Sequence, residues 1–86
     1  MGLDAVELII EIEKRFDIDI DDEDAHYLGK VGDLARYVSQ KTIGREKEYS
    51  YETVLRMVIE ILVNNYDIPE GKANSSSHFV DDLGLD

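Results

Sequence analysis

Residues Leu3 to Phe16, LDAVELIIEIEKRF, carry apolar side chains on two separate stripes, where an ordinary amphipathic helix carries one. At about 100° per residue, Ala5, Leu8, Ile9, Ile12 and Phe16 fall within a single arc. Leu3, Val6 and Ile10 form a narrower second stripe, with Asp4, Glu7 and Glu11 along one edge. Two arrangements satisfy the pattern. Both stripes can be core, or the first is core and the second is a docking face rimmed by acid. The second is preferred, because carboxylates crowding an apolar contact cannot enter it unpaired.

The chain has 86 residues, enough for one small domain close to the size where a single core is barely sufficient. Twenty acidic residues against nine basic give a net charge of -11. That balance argues against nucleic acid, whose phosphates need Lys and Arg. It suits a partner with a basic surface and a fast electrostatic encounter, although acidity also serves solubility alone. Cysteine is absent, so there is no disulfide and no Cys-based metal site. No apolar run approaches a membrane span, and the N-terminus lacks a basic region followed by an apolar one. The expectation is a cytoplasmic protein with no signal peptide and no membrane partner.

After Phe16, the residues Asp17, Asp19, Asp21, Asp22 and Asp24 invite a calcium-loop reading. An EF-hand loop starting at Asp17 needs Gly at its sixth position and Glu at its twelfth; those positions hold Asp22 and Leu28. The spacing fits a loop with Ile18 and Ile20 inward, then a short helix begun by an Asp cap. Ala25 and Leu28 face the core there, and Gly29 stops the helix. Val31 to Lys41 reads as a helix with Val31, Leu34, Ala35 and Val38 on one side. Thr42 to Tyr49, TIGREKEY, has no apolar period and reads as a linker.

Ser50 is the N-cap of the longest helix, YETVLRMVIEILVNNY. Its residues Val54, Leu55, Met57, Val58, Ile59, Ile61, Leu62 and Tyr66 cover more than half the circumference, which predicts the central, most buried helix. From Asp67 the chain is irregular, punctuated by Pro69 and Gly71, polar at Ser75 to Ser77, and anchored by Phe79, Val80 and Leu83. The fold class is all-α: three main helices, one short helix and a long ordered loop.

Read in order, these pieces resemble an acyl carrier protein with its halves exchanged. GLDAVELIIEIEKRFDIDIDDEDA followed by VGDLARYV is similar to the family's second half, from the serine of its D-S-L motif to its C-terminus. VLRMVIEILVNNYDIPEGKANSSSHFVDDLGLD is similar to the first half, up to the approach to that motif. The resemblance covers nearly the whole chain and implies an antiparallel, acyl-carrier-like bundle in circularly permuted order. Residues 1–41 form the family's second half, 42–49 the linker and 50–86 the first half. In the family fold the first helix begins where the last one finishes, so a short linker joins them without threading the bundle. Close chain ends are the usual condition for tolerated permutation. The new ends, Met1 and Asp86, are expected side by side at the motif.

The same resemblance locates the chemistry. The motif aspartate is Asp86, and the position equivalent to the serine is Gly2. Glycine has no oxygen to hold phosphopantetheine, so no cofactor is expected on the chain as it stands. Ser75, Ser76 and Ser77 lie near the end but outside the motif context. In the family, the positions held here by Leu3, Asp4, Val6, Glu7, Ile10 and Glu11 belong to the helix that partner enzymes recognise. The resemblance therefore implies a carrier-like protein of fatty-acid or polyketide-type biosynthesis rather than an enzyme. Its partners would be basic-surfaced acyl-handling enzymes and a phosphopantetheinyl transferase. Lys14 and Arg15 stand where the family commonly has glutamates and reduce the charge at that end of the helix. The alternative is a true covalent carrier whose serine is missing only from this chain. The two halves could also pair between chains as a domain-swapped dimer.

The other constellations carry little. His26 and His78 have no serine or cysteine arrangement around them and read as a solvated helix residue and a loop residue. Asp21 to Asp24 and Asp81 to Asp82 could hold divalent ions loosely, as in an acidic metal-buffering bundle. The five tyrosines read as half-buried packing residues without a basic stacking platform.

Overall fold

The computed structural model describes residues 3–85, and its regular structure there is helical: α1 (Leu3–Phe16), α2 (Asp22–Ala25), α3 (Val31–Lys41) and α4 (Tyr51–Asn65). The all-α reading holds. The radius of gyration is 11.9 Å, against about 12 Å expected for a compact chain of this length.

Two helix ends share one device. Asp17 (φ 53°) follows α1 in the left-handed region, and Asp67 (φ 57°) does the same just beyond α4. Each sits between an aromatic residue and an isoleucine, in Phe16-Asp17-Ile18 and Tyr66-Asp67-Ile68, and both isoleucines are buried. The Ile18 amide donates to the Glu13 carbonyl at 3.1 Å, and the Ile68 amide donates to the Leu62 carbonyl at 3.2 Å. Orphan carbonyls at the helix ends are thus satisfied while the chain turns an apolar residue back onto the core. Glu13 Oε2 also accepts the Ile20 amide at 3.0 Å. One glutamate therefore pins the loop in the register that puts Ile18 and Ile20 inside and Asp17, Asp19 and Asp21 outside.

The short helix differs from expectation. Asp21 occupies the N-cap, but its side chain makes no capping bond. The helix ends at Ala25, well before Gly29; backbone bonds from Tyr27 to Asp24 and from Leu28 to Ala25 close the turn that follows. Ala25 and Leu28 face the core as expected.

The most buried helix is α3, not α4. Val31, Leu34, Ala35 and Val38 are fully buried, and Gly32 is buried beside them. In α4 only Val54, Val58, Ile61 and Leu62 are buried, while Leu55, Met57 and Ile59 are half-buried. Packing covers one side of α4 and leaves the other side open, where exposed Glu52, Arg56 and Glu60 alternate with the apolar residues. Ser50 caps α4 as predicted, its hydroxyl accepting the Thr53 amide at 3.2 Å. α1 and α4 run in opposite senses: Arg15 lies with Met57, Glu60 and Ile61, and Glu11 bonds Asn65.

Thr42 to Tyr49 is irregular, but its ends are structural. Thr42 is fully buried, and its hydroxyl accepts the Tyr49 amide at 3.0 Å. The Tyr49 ring packs edge-on against Phe16, 4.9 Å between centroids. Four tyrosines are half-buried, whereas Tyr27 is exposed.

The long loop caps α3. Lys30, at the N-cap, offers no side-chain bond, so the first amides of the helix need other acceptors. The Ser77 carbonyl takes the Val31 amide at 3.0 Å, and the Ser75 carbonyl takes the Gly32 amide at 2.9 Å. Phe79 donates back to the Gly29 carbonyl at 2.9 Å. Beyond this seam, Phe79, Leu83 and Leu85 are buried, but Val80 is 54% exposed and is not an anchor. The turn that bonds Leu83 to His78 and Gly84 to Val80 carries Val80 outward.

Candidate docking face

On α1 the two stripes separate cleanly. Ala5, Leu8, Ile12 and Phe16 are buried and Ile9 is half-buried. Leu3, Val6 and Ile10 are 78%, 42% and 44% exposed. The second stripe is therefore a surface feature, with Asp4, Glu7 and Glu11 beside it.

The acid rim lies on the side of α1 nearest the end of α4. Asn65 Nδ2 donates to both carboxylate oxygens of Glu11, at 3.2 and 3.0 Å. Tyr66 reports the same neighbourhood: burial, and then the carboxylates Glu11, Glu7 and Asp4, raise its phenol above the ordinary value. Glu11 is thus held by its own fold, whereas Glu7 projects into solvent. At the far end, Lys14 and Arg15 occupy the last turn, where cations suit the helix dipole.

Behind the face lies an apolar pocket of about 250 Å³. Its walls are Ala5, Leu8 and Ile9 from α1, Leu28 with Gly29, and Phe79 with Val80. It joins the start of α1 to the chain's last segment, so residues from both halves of the sequence meet there. The sequence reading had not assembled these residues, because only the turn at 79–84 brings Phe79 and Val80 to Ala5.

Gly2 and Asp86, the positions expected to stand at the attachment site, lie outside the described residues. The Ser77 hydroxyl is buried and accepts the Asn74 amide, Ser50 caps α4, and Ser75 lends its carbonyl to the α3 seam. Asp21 to Asp24 make no metal cluster: among the described residues no three His, Cys, Asp or Glu side chains are grouped to hold an ion. No helix among them is long and apolar enough to cross a membrane.

No protein-family profile matches the chain, and no solved structure does. Curated proteins do. An acyl carrier protein of Exiguobacterium sp. is 44% identical over 40 residues, which is 46% of this chain and 51% of that protein. The match thus spans about half the length of each. Over that matched half the chain is similar to an acyl carrier protein, and its helical fold is consistent with an acyl-carrier-like bundle.

Proposed function

We propose that this chain is a circularly permuted acyl-carrier-like protein of fatty-acid or polyketide-type biosynthesis, a docking module rather than an enzyme. It works in the cytoplasm, engages basic-surfaced acyl-handling enzymes through α1, and carries no phosphopantetheine because Gly2 stands at the serine's place. The observation that carries the reading is the separation of stripes on α1: an exposed Leu3, Val6 and Ile10 above a core of Leu8, Ile12 and Phe16. Burying the outer stripe against a partner contributes about 25 cal/mol for each Å² removed from water. Glu7 and Asp4 add attraction to a basic patch and speed the encounter. Glu11 serves the bundle first, since Asn65 already holds it.

Support for the permuted order comes from three sides. A comparison that keeps residues in order can capture only one of two exchanged halves, and 40 matched residues is the length of one half. The first helix and the last segment line one pocket, Ala5 and Ile9 together with Phe79 and Val80, as close ends would require. The Thr42–Tyr49 bond closes the linker between α3 and α4 at its base.

The test is intact mass after incubation with a broad-specificity phosphopantetheinyl transferase and coenzyme A. An unchanged mass is expected, with modification gained on Gly2→Ser. Gain of one phosphopantetheine on the unaltered chain would mean that another serine has taken over, and would overturn the reading. Binding to a basic acyl-handling enzyme should fall on Glu7→Lys or Ile10→Glu, and persist on Glu11→Gln.

A further inference from the structure

The open side of α4 forms a second concave surface, unrelated to the α1 face. Leu55, Ile59 and Val63 recur every fourth residue and line a straight groove of about 480 Å³. Its rim carries Glu52, Arg56, Glu60 and Asn64 from the helix, and Glu70 from the turn after Pro69. Core packing leaves this face half-covered at most, and Glu52, Arg56 and Glu60 are exposed.

We infer that this groove docks a basic amphipathic helix of a partner protein, lying along α4. The length suits a helix. Glu52 and Glu60 are eight residues apart, about 12 Å along the axis at 1.5 Å per residue. Two basic side chains two turns apart on the partner reach them, while an acidic or amide side chain between them meets Arg56. Apolar residues on the inner face of the partner cover Leu55, Ile59 and Val63, as in helix-in-groove recognition. A second copy of this chain is the wrong occupant. Two grooves face to face would oppose the three glutamates of each copy, with one arginine apiece to offset them, between molecules of net charge -11.

The experiment uses the full chain and a fluorescein-labelled amphipathic peptide of Leu and Lys, with one Glu central on its Lys face. Binding is followed by anisotropy, and its location by amide chemical shifts. Expected are shifts along 52–63 and at Glu70, and an affinity that falls roughly tenfold or more on E52K/E60K, as for charge pairs at an interface. The exposed positions of that double change leave the core untouched, and helicity by circular dichroism checks this. Ile10→Glu on the α1 face should leave this binding unchanged. Shifts confined to α1, loss of binding on Ile10→Glu, or an affinity indifferent to E52K/E60K would each overturn the inference. Self-association of the chain without peptide, abolished by E52K/E60K, would overturn the choice of occupant.

Discussion

Gly32→Ala is the substitution whose sign separates two accounts of this fold. By helix propensity alone it should stabilise, since Ala exceeds Gly by about 0.8–1 kcal/mol in a helix interior. The structure says otherwise. A Cβ on Gly32 would stand 2.7 Å from the Ser75 carbonyl oxygen, 3.1 Å from the Tyr51 hydroxyl and 3.2 Å from the Ser75 Cβ. To reach ordinary contact at 3.4 Å the carbonyl must move about 0.7 Å from the new Cβ, which weakens or breaks the 2.9 Å bond it accepts from the Gly32 amide. Leaving that buried amide unpaired costs about 1–3 kcal/mol, and the Val31–Ser77 bond two residues along the same loop is strained with it. After the propensity gain, the net loss is up to about 2 kcal/mol. For a domain of this size that lowers Tm by up to roughly 15 °C. Thermal and urea unfolding followed by circular dichroism give the number. Amide shifts at Ser75 to Phe79 report whether the seam has opened. A Gly32→Ala protein more stable than the parent by the full propensity gain would refute the close approach between loop and helix.

The two stripes of α1 predict opposite outcomes for neighbouring residues: Ile12→Ala, in the core, should cost about 2–5 kcal/mol, and Ile10→Ala, on the surface, less than about 0.5 kcal/mol, by urea unfolding. Equal losses would mean that both stripes are core. Tyr37 should titrate late, because burial, followed by its 2.8 Å bond to Asp24 and the nearby carboxylates, raises its phenol to about 12. A pKa raised in the folded state favours the neutral form there, so this contribution is intact below about pH 10 and is lost as pH rises toward 12. Phenolate absorbance should show Tyr37 and Tyr66 titrating late, and Tyr37→Phe should remove one of the two late steps. Asp67→Gly, at φ 57°, should leave stability unchanged or raise it by up to about 1 kcal/mol, since glycine adopts that conformation without strain.

The inner arcs of α1 and α3 were legible because their apolar residues recur with one helical period and polar residues fill the remainder. The exposed stripe was legible for the same reason, with acids marking its edge. For α4 the signal failed. Apolar residues all round a helix look alike whether they face a core or a shallow groove, and only the packing of α3 decides between them. Val80 and Leu85 were misjudged or missed because a turn, not a period, orients them. The twin stops, Phe-Asp-Ile and Tyr-Asp-Ile, were visible in the sequence as a repeated triplet. Their meaning depends on a positive φ that Asp does not announce. Gly32 and Glu11 depend on partners far along the chain, at Ser75 and Asn65, and no local pattern encodes such contacts.

Restoring the family's order is the strictest trial of the permuted reading. The chain can be opened at Glu46–Lys47, an exposed point in the linker, and Asp86 joined to Leu3 through a single serine in place of Met1 and Gly2. The sequence then reads Asp-Ser-Leu across the join. Opening there spares Thr42 and Tyr49, whose hydroxyl–amide bond at 3.0 Å and whose ring contact with Phe16 would hold the new ends on the bundle. It does free Arg45 and Glu48, which bond the Asp17 carbonyl and the Gly44 amide, but both residues are exposed. Exposed contacts of this kind are worth little, so stability should fall by no more than about 1 kcal/mol. The first helix and the last segment share a pocket lined by Ala5, Ile9, Phe79 and Val80, so on the permuted reading the join should close without rearranging the core. Far-ultraviolet circular dichroism should match the parent, and the serine should accept phosphopantetheine from coenzyme A. A re-joined chain that fails to fold would mean that the two segments do not meet as exchanged halves of one carrier domain. A folded but unmodified chain would mean that the transferase does not recognise α1 as it recognises a carrier's helix, and would sink the proposed docking role with the fold intact.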